Sequence, residues 1–487
     1  MNRSWSVEIR KVLLTHSLLI FIPTALLLAL QSNGYSIQGL HRTISTLYLI
    51  SAFVLILEST VALFRRFSSH PKRFSKGFID QQWDAFKVGL GVGGARIPAP
   101  LLPLPRCSFL VVAYLPNEQD IILETLIHIL EHIHRPKAGL EVILAYNTPM
   151  DLPVESALQA LARQHPELQL LRVKDSRSKA ENLNAALEIV TGEVTCVLDA
   201  DHHPPADCFL RAWHWLGQNY DVVQGRNVVR NYDHNWLTET IAIEFESIYG
   251  ISHSAVSFLT DTSIFAGSNG YWRTTVLQQV CFDARMLTED IDATLRTLSR
   301  GYRILHDRSI VTSELAPTDL LSFWYQRKRW AQGWIEVSFK YQRFIWGFPK
   351  FTVLQKLYWT CLLYGCQFYP IMAVQVFPVL LSVLLFQGSW AGTHDPYLWF
   401  VTCLGLSAIA YKSWVTARVA ALQYPLLSHI KHALMLIPLI TLKNAIAIVG
   451  LYDYLRGNNT WWITPRSPAL GSRRRLARPV PVSTAKL

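Results

Sequence analysis

The sequence predicts an α/β domain on a doubly wound, mostly parallel sheet, set between two groups of membrane-spanning helices. Three observations lead there. Apolar runs lie at 12–30 and 45–64 and again at 353–386, 397–418 and 432–451, and a bilayer crossing needs roughly 20 mostly apolar residues. Between them, from 107 to 200, short apolar strands alternate with helical segments, the pattern of a parallel sheet wound on both faces. The 487-residue chain has a formal net charge of +11, and its basic residues gather beside the apolar runs with no RNA-binding aromatic motif among them. That charge suits an anionic membrane surface or anionic substrates and not nucleic acid.

In chain order, 1–66 reads as an N-terminal transmembrane region of two helices. Arg3, Arg10 and Lys11 precede the first span, Arg42 lies between the spans, and Arg65, Arg66, Lys72, Arg73 and Lys76 follow the second. The positive-inside rule then places the N-terminus and the chain after 65 in the cytoplasm. Residues 67–106, with Gly89–Gly94 and a proline-rich run from Pro98 to Pro105, read as a linker. The α/β domain occupies 107–345. Strands are expected at 108–113, 140–145, 168–173 and 194–198, and helices at 121–133, 158–164 and 180–190. Ligands of such sheets bind at the carboxyl ends of the strands, where Tyr114, Asn147 and Asp199 fall.

A C-terminal transmembrane region covers 346–455, followed by a basic tail at 456–487. The run 353–386 is long enough to combine an interfacial helix with a span, with Pro370 as the break. The loop 387–396 has no Lys or Arg, which suits the outside. The tail carries Arg466, Arg473, Arg474, Arg475, Arg478 and Lys486 with no acids, which suits the inside. Three single crossings cannot satisfy both, so one segment does not cross or another is split. The seven cysteines form no Cys-x-x-Cys pair and are read as free thiols in a reducing compartment.

Several stretches carry chemistry. Asp199-Ala-Asp201 ends an apolar strand, and its spacing lets a short loop present both carboxylates to one hard divalent cation. His202 and His203, which follow, read as exposed loop histidines. Glu289 and Asp290 open a helix that Thr288 can cap and whose Ile291, Leu295 and Leu298 can face a core. Acids there also simply favour the positive end of the helix dipole. Tyr114-Leu-Pro-Asn-Glu118 follows the first strand, where Pro-Asn is also ordinary turn chemistry. Lys179 begins Lys-Ala-Glu-Asn-Leu-Asn184. Gly267 and Ser268 lie in the Gly- and aromatic-rich stretch from Phe265 to Arg273, suited to sugar faces or to a turn into the core. Gln326-Arg-Lys-Arg-Trp330 is basic and aromatic, as is the stretch of Trp461, Thr464 and Arg466, and either suits a membrane anchor.

Taken in order, Asp-x-Asp, Thr-Glu-Asp and Gln-Arg-x-Arg-Trp resemble the signature of the membrane-embedded family 2 glycosyltransferases, which include cellulose, chitin and hyaluronan synthases. The resemblance implies a GT-A type, Rossmann-like domain and inverting transfer of a sugar from a nucleotide diphosphate donor, a UDP-sugar, to a growing β-linked polysaccharide that the spans translocate. It gives Asp290 the role of general base, with Glu289 and Asp292 as rivals. Asp199 and Asp201 would hold Mg²⁺ or Mn²⁺ and the diphosphate. Tyr114, Glu118, Asn147 and Lys179 would meet the nucleotide. Gln326 and Arg329 would serve the leaving diphosphate, and Gly267, Ser268 and Trp330 the acceptor. Trp461, Thr464 and Arg466 would form a gating loop over the nucleotide.

The chain departs from the pattern once. Relatives usually end the second strand in Asp-Asp-Gly, where this chain has Ala145-Tyr-Asn-Thr-Pro149, so Asn147 would stand in as a neutral hydrogen-bonding group. The implied protein is a multi-pass one of the plasma (inner) membrane, with a cytoplasmic catalytic domain and partners limited to donor, glycan or lipid acceptor, and bilayer. Its rivals are a glycolipid-forming transferase and a non-catalytic nucleotide-binding membrane scaffold.

Overall fold

The computed structural model describes residues 2–64, 102–387, 395–458 and 464–465. Two long helices, α1 (Asn2–Ser32) and α2 (Gln38–Phe64), come first. A seven-stranded sheet follows, from β1 (Cys107–Tyr114), β2 (Leu140–Asn147), β3 (Leu168–Arg172) and β4 (Val194–Asp199) to β5 (Val222–Val229), β6 (Gly270–Arg273) and β7 (Ile304–Glu314). Its helices are α3 (Leu115–Glu118), α4 (Ile122–His132), α5 (Pro153–Gln164), α6 (Lys179–Leu187), α7 (Cys208–Leu216), α8 (Trp236–Ser247), α9 (Ser254–Thr260), α10 (Thr274–Val280) and α11 (Glu289–Ser299). Then come α12 (Leu320–Tyr341), α13 (Val353–Val374), α14 (Val376–Gln387), α15 (Pro396–Val419) and α16 (Leu426–Leu455).

The strand order is β3-β2-β1-β4-β6-β5-β7. β1 to β4 run parallel, as the alternation predicts, while β6 lies antiparallel between β4 and β5. The chain winds outward from β1 to β3, then returns to place β4 on the other side of β1. The carboxyl ends of β1 and β4 therefore border a crevice at this reversal. β1, β2 and β4 are buried almost throughout, because helices cover both faces. One face packs α4, α5 and α7 through Leu126, Leu158 and Phe209. The other packs α6 and α11, and its core runs on through Val337 and Tyr341 of α12 to Trp359 and Leu363 of α13. The sheet is thus joined to the apolar helices by one continuous core.

The sequence reading leaves β5, β6 and β7 unassigned, and the reason is physical. β5 reads Val-Val-Gln-Gly-Arg-Asn-Val-Val, with polar residues mid-strand, yet every residue is buried. Arg226 is held by Glu246, Asn227 by Glu314, and Gln224 by the backbone of Gly225 and Ser268. A buried strand with internal polar partners breaks the apolar run on which periodicity depends. Three other expectations change. The break in 353–386 falls at Gln375 and not at Pro370, which lies inside α13. Pro378 explains this, since it cannot donate to the Val374 carbonyl four residues back. Thr288 occupies the N-cap position of α11 but makes no capping bond. Its side chain is committed to Gly333 of α12, where a Cβ would lie 2.3 Å from Thr288 Cγ2. His202 is buried at 2 % exposure, not exposed.

Among the described residues, five helical segments are long and apolar enough to cross a membrane, the third being α13 and α14 together. The first and the last of them, α1 and α16, are tied to the sheet domain through α12. Lys328 Nζ contacts Glu8 of α1 and Asp453 of α16, both at 2.9 Å, and Lys11 reaches Asp453 at 2.8 Å and Glu8 at 3.1 Å. Trp324 Nε1 donates to the same Glu8. Removing one member of a buried ion network typically costs about 3–5 kcal/mol, because the others keep their desolvation penalty. Lys328→Met is therefore expected to destabilise the protein by about 3 kcal/mol, read as an earlier thermal unfolding transition in detergent. An unchanged transition would contradict this account of how the two ends are joined.

Candidate active site

A cavity of about 1100 Å³ opens at the carboxyl ends of β1, β2 and β4. Its centre is Lys179, the first residue of α6. The ammonium lies 2.5 Å from Asp199 Oδ1 and 3.9 Å from Glu289 Oε1, and it donates to the Gly267 carbonyl at 2.7 Å. Burial alone would depress its pKa, but Asp199 and Glu289 more than offset this and raise it. Asp199 is fixed from behind, its backbone N–H donating to Ser268 Oγ at 3.0 Å, while its carboxylate stays partly open to the cavity.

Asp201 is more enclosed. Its Oδ2 accepts from the Leu315 N–H at 3.0 Å and its Oδ1 lies 3.2 Å from His202 Nδ1. His202 Nε2 faces Glu314 at 3.0 Å. Burial works against charge on this imidazole, yet Glu314 and Asp201 push its pKa up to about 9. His203 points elsewhere, stacking on His128 at 4.6 Å, and burial and Arg230 hold it neutral.

The three acids of the α11 turn separate by environment. Asp292 is fully buried, and accepts from Arg296 Nε at 2.7 Å, Lys340 Nζ at 2.7 Å and Tyr341 Oη at 2.8 Å. It fastens α11 to α12 and has no path to a substrate. Glu289 is also buried, beside Lys179. Asp290 faces the cavity. Its Oδ1 accepts from the Ile291 N–H at 2.9 Å. Its Oδ2 lies against Gly267, where a Cβ would come within 2.9 Å and where φ is +83°. Both the close approach and the left-handed backbone demand glycine there. Burial deep in the cavity, with Glu289 adjacent, pushes the Asp290 pKa up to about 7, against the pull of Lys179.

At the outer end, Tyr114, Asn117 and Glu118 line the opening. Glu118 accepts from the Tyr114 N–H at 2.7 Å and from Asn117 Nδ2 at 2.6 Å, so this carboxylate braces its own turn. Asn117 Nδ2 also donates to the Thr464 carbonyl at 3.0 Å, which brings the tail to the rim. Trp461 and Arg466 lie outside the described residues. Asn147 donates to the Ser176 carbonyl at 2.9 Å and accepts from Asn182 Nδ2 at 2.8 Å. A carboxylate there would face the Ser176 carbonyl oxygen without a hydrogen, which gives the neutral side chain a physical reason.

At the inner end, α12 brings Gln326, Arg329 and Trp330 to the wall. Arg329 Nη1 donates at 3.4 Å to the Leu287 carbonyl, just before the Thr-Glu-Asp turn. Arg327 lies 4.3 Å over the Trp330 ring and pairs with Glu244 at 2.8 Å. Glu244 meets Lys443 of α16 on its other oxygen at 2.5 Å. Arg327 and Lys443 hold the Glu244 pKa down at about 2, although burial opposes it. Beyond Trp330 the cavity continues between Leu362, Cys366 and Tyr369 of α13 and Asn444 and Ala447 of α16.

The profile of glycosyl transferase family group 2 matches residues 194–444, from β4 through α12 to α16. The chain belongs to this family. A probable glycosyltransferase of Bacillus subtilis, YdaM, is 26 % identical over 236 residues, 47 % of this chain and 55 % of that one. The poly-β-1,6-N-acetyl-D-glucosamine synthase of Staphylococcus aureus is 26 % identical over 241 residues, covering 48 % and 56 %. The UDP-forming cellulose synthase 1 catalytic subunit of Komagataeibacter xylinus is 25 % identical over 175 residues, 34 % of this chain and 23 % of that one. The chain spans about half the length of the first two relatives. Among solved structures, the mannosyltransferase PcManGT of Pyrobaculum calidifontis, with GDP-mannose and Mn²⁺, aligns at a TM-score of 0.48 and 21 % identity over 85 % of this chain and 98 % of that one.

The α/β domain of this family 2 chain is built on a mixed seven-stranded sheet. Its cavity gathers most of the described residues that the motifs single out, from Tyr114 and Glu118 through Lys179, Asp199, Asp201 and Ser268 to Asp290, Gln326, Arg329, Trp330 and Thr464, with the rival acid Asp292 outside it. A divalent cation fits the donor set. Atoms of Asp199, Asp201 and His202 lie within 4.8 Å of one another, and two carboxylates at a cavity wall suit Mg²⁺ or Mn²⁺. Both nitrogens of His202 already face acids, Asp201 and Glu314, which leaves the carboxylates as the donors suited to such an ion. Sequence reasoning missed Asn117, Asn182, Glu244, Arg327 and Lys443. Arg327 lies inside a recognised motif, and Lys443 is a charge within an apolar run, itself a signal of function. Glu244 had no signal, since a single acid on an amphipathic helix reads as surface.

Proposed function

We propose that this chain is an inverting glycosyltransferase that moves a sugar from a nucleotide diphosphate donor, a UDP-sugar, to the hydroxyl of a growing β-linked glycan at the membrane face of its cytoplasmic α/β domain. The observation that carries this reading is the convergence of Asp199, Lys179, Asp290 and Arg329 on one cavity. The division into membrane region, linker, 107–345 transferase domain, membrane region and tail belongs to the same proposal.

Each residue takes a step that its environment suits. Asp290 Oδ2 accepts the proton of the acceptor hydroxyl as that oxygen attacks the anomeric carbon from the face opposite the diphosphate. A raised pKa makes a carboxylate a better base near neutral pH, and such positioning typically contributes 10²–10⁴-fold. The diphosphate leaves with growing negative charge. Lys179 and Arg329 hold that charge, the arginine through planar paired donors. Asp199 and Asp201 would hold Mg²⁺ or Mn²⁺, which when bound supplies positive charge to the diphosphate. Tyr114 and Asn117 border the base and ribose, with Thr464 closing from the tail side. Trp330, stiffened by Arg327 against its ring, offers a face to the acceptor sugar. The cavity continues along α13 and α16 toward the membrane, which supports delivery of the product to that side.

The test is purified protein with labelled UDP-sugars and Mg²⁺ or Mn²⁺, with the product sized. A polymer whose formation stops with EDTA and returns with metal is the expected result. A lipid-soluble product of one sugar would move the acceptor to a glycolipid. No transfer from any nucleotide sugar would leave a binding scaffold. The environment of Asp290 sets the pH dependence. The base works deprotonated, and its pKa is raised to about 7, so kcat/KM is expected to fall as pH drops through 7. An acidic limb near the ordinary carboxylate value of about 4 would contradict the assignment.

A further inference from the structure

Glu244 of α8 joins three helices through one carboxylate. Its Oε2 accepts from Arg327 Nη2 of α12 at 2.8 Å, and its Oε1 accepts from Lys443 Nζ of α16 at 2.5 Å. Glu244 and Arg327 are each 6 % exposed. A carboxylate so enclosed keeps its charge because both oxygens are paired with cations. Lys443 in turn lies within an apolar run, where a charged side chain is rare and is normally paired. Removal of the Glu244 charge would leave a buried guanidinium with a like charge beside it.

Arg327 has a second task. Its guanidinium carbon lies 4.3 Å from the centre of the Trp330 ring, 5.2 Å from that of Phe323 and 5.5 Å from that of Phe245. A planar guanidinium stacks on an aromatic face while donating in its own plane, so one side chain serves Trp330 and Glu244 together. Among the described residues its Nε has no hydrogen-bond partner, and the group is oriented by Glu244 and the rings. Trp330 is half-buried at the cavity wall. Its other neighbours belong to the apolar core shared by α8, α12 and α16. Apolar contacts are non-directional, whereas a cation over the ring favours one ring plane.

We infer that Glu244 is a positioning residue for the acceptor, holding Arg327 over Trp330 while Lys443 holds Glu244, so that α8 and α16 together set the plane of the ring that meets the growing glycan. The inference rests on the reading of Trp330 as the face offered to the acceptor sugar. Among the described residues the bonds of Glu244 go to Arg327 and Lys443, and none goes to Lys179, Asp199 or Asp201 at the diphosphate end. Without the carboxylate, Arg327 and Lys443 repel, and the guanidinium is driven off the ring. A loosened ring then holds the acceptor less firmly and leaves donor binding as it was. A glycan built by successive additions stays bound through each cycle, so its mean length is the ratio of the addition rate to the release rate. Product length therefore reads the grip of Trp330 directly. A clasp that merely joined three helices would change stability and leave that length unaltered.

The test compares mean product length, donor KM and UDP binding in the full-length protein, in Glu244→Gln and in Arg327→Lys, with UDP-glucose and UDP-N-acetylglucosamine as donors. Arg327→Lys keeps a cation beside Glu244 but has no planar group to lay on Trp330, so it separates positioning from clasping. Both variants are expected to give product about tenfold shorter, the order of a lost desolvated cation–π contact, with donor KM and UDP binding unchanged. Product of native length from either variant overturns the inference, as does a raised donor KM with no change in length. Should Glu244→Gln fail to fold, Glu244→Asp, which keeps the charge and withdraws it from Arg327, takes its place with the same deciding outcomes. No transfer by the native protein from any nucleotide sugar would overturn the glycosyltransferase reading itself, and this inference with it.

Discussion

One ammonium group holds the site together. Asp199, Glu289 and Asp290 come from β4 and from the start of α11, ninety residues apart in the chain. Brought to one cavity, three carboxylates repel, and repulsion grows as water is excluded. Lys179 lies among them, in contact with Asp199, near Glu289 and bonded to the Gly267 backbone. It neutralises part of the charge, so Glu289 stays beside it while Asp290, farther from compensation and next to Glu289, is driven toward protonation. The acidity of Asp290 is thus moved out of the ordinary carboxylate range, as is usual for a working base in an enclosed site. The same cation also crosslinks three segments that no secondary structure joins.

The second organising element is α12. On one side it presents Gln326, Arg329 and Trp330 to the cavity. On the other, Lys328 joins Glu8 and Asp453. One basic motif therefore faces both the reaction space and the membrane helices. Displacement of those helices would move Arg329 and Trp330 relative to Asp290, because the buried charges resist sliding more than apolar contacts do.

The first half of the domain was legible because β1 to β4 are apolar runs separated by amphipathic helices, and because short spacings such as Asp199-Ala-Asp201 survive translation into structure. The second half was not. Arg226, Asn227 and Gln224 sit inside a buried strand and read as surface until their partners Glu246, Glu314 and Ser268 are known. His202 was misjudged for the same reason, its burial being created by Glu314 from more than a hundred residues away. Asp292 could not be separated from Asp290 by spacing, and only the contacts of Lys340 and Tyr341 remove it from the reaction.

The central claim is that Asp290, and not Glu289, takes the acceptor proton. The most direct measurement compares sugar transfer and donor binding in Asp290→Asn and Glu289→Gln, each of which keeps shape and removes a charge. The account expects Asp290→Asn to fold and bind the nucleotide sugar while its transfer rate falls at least about a hundredfold, with Glu289→Gln falling less. Near-normal transfer in Asp290→Asn with donor binding unchanged would contradict it, most decisively if Glu289→Gln were the inactive variant.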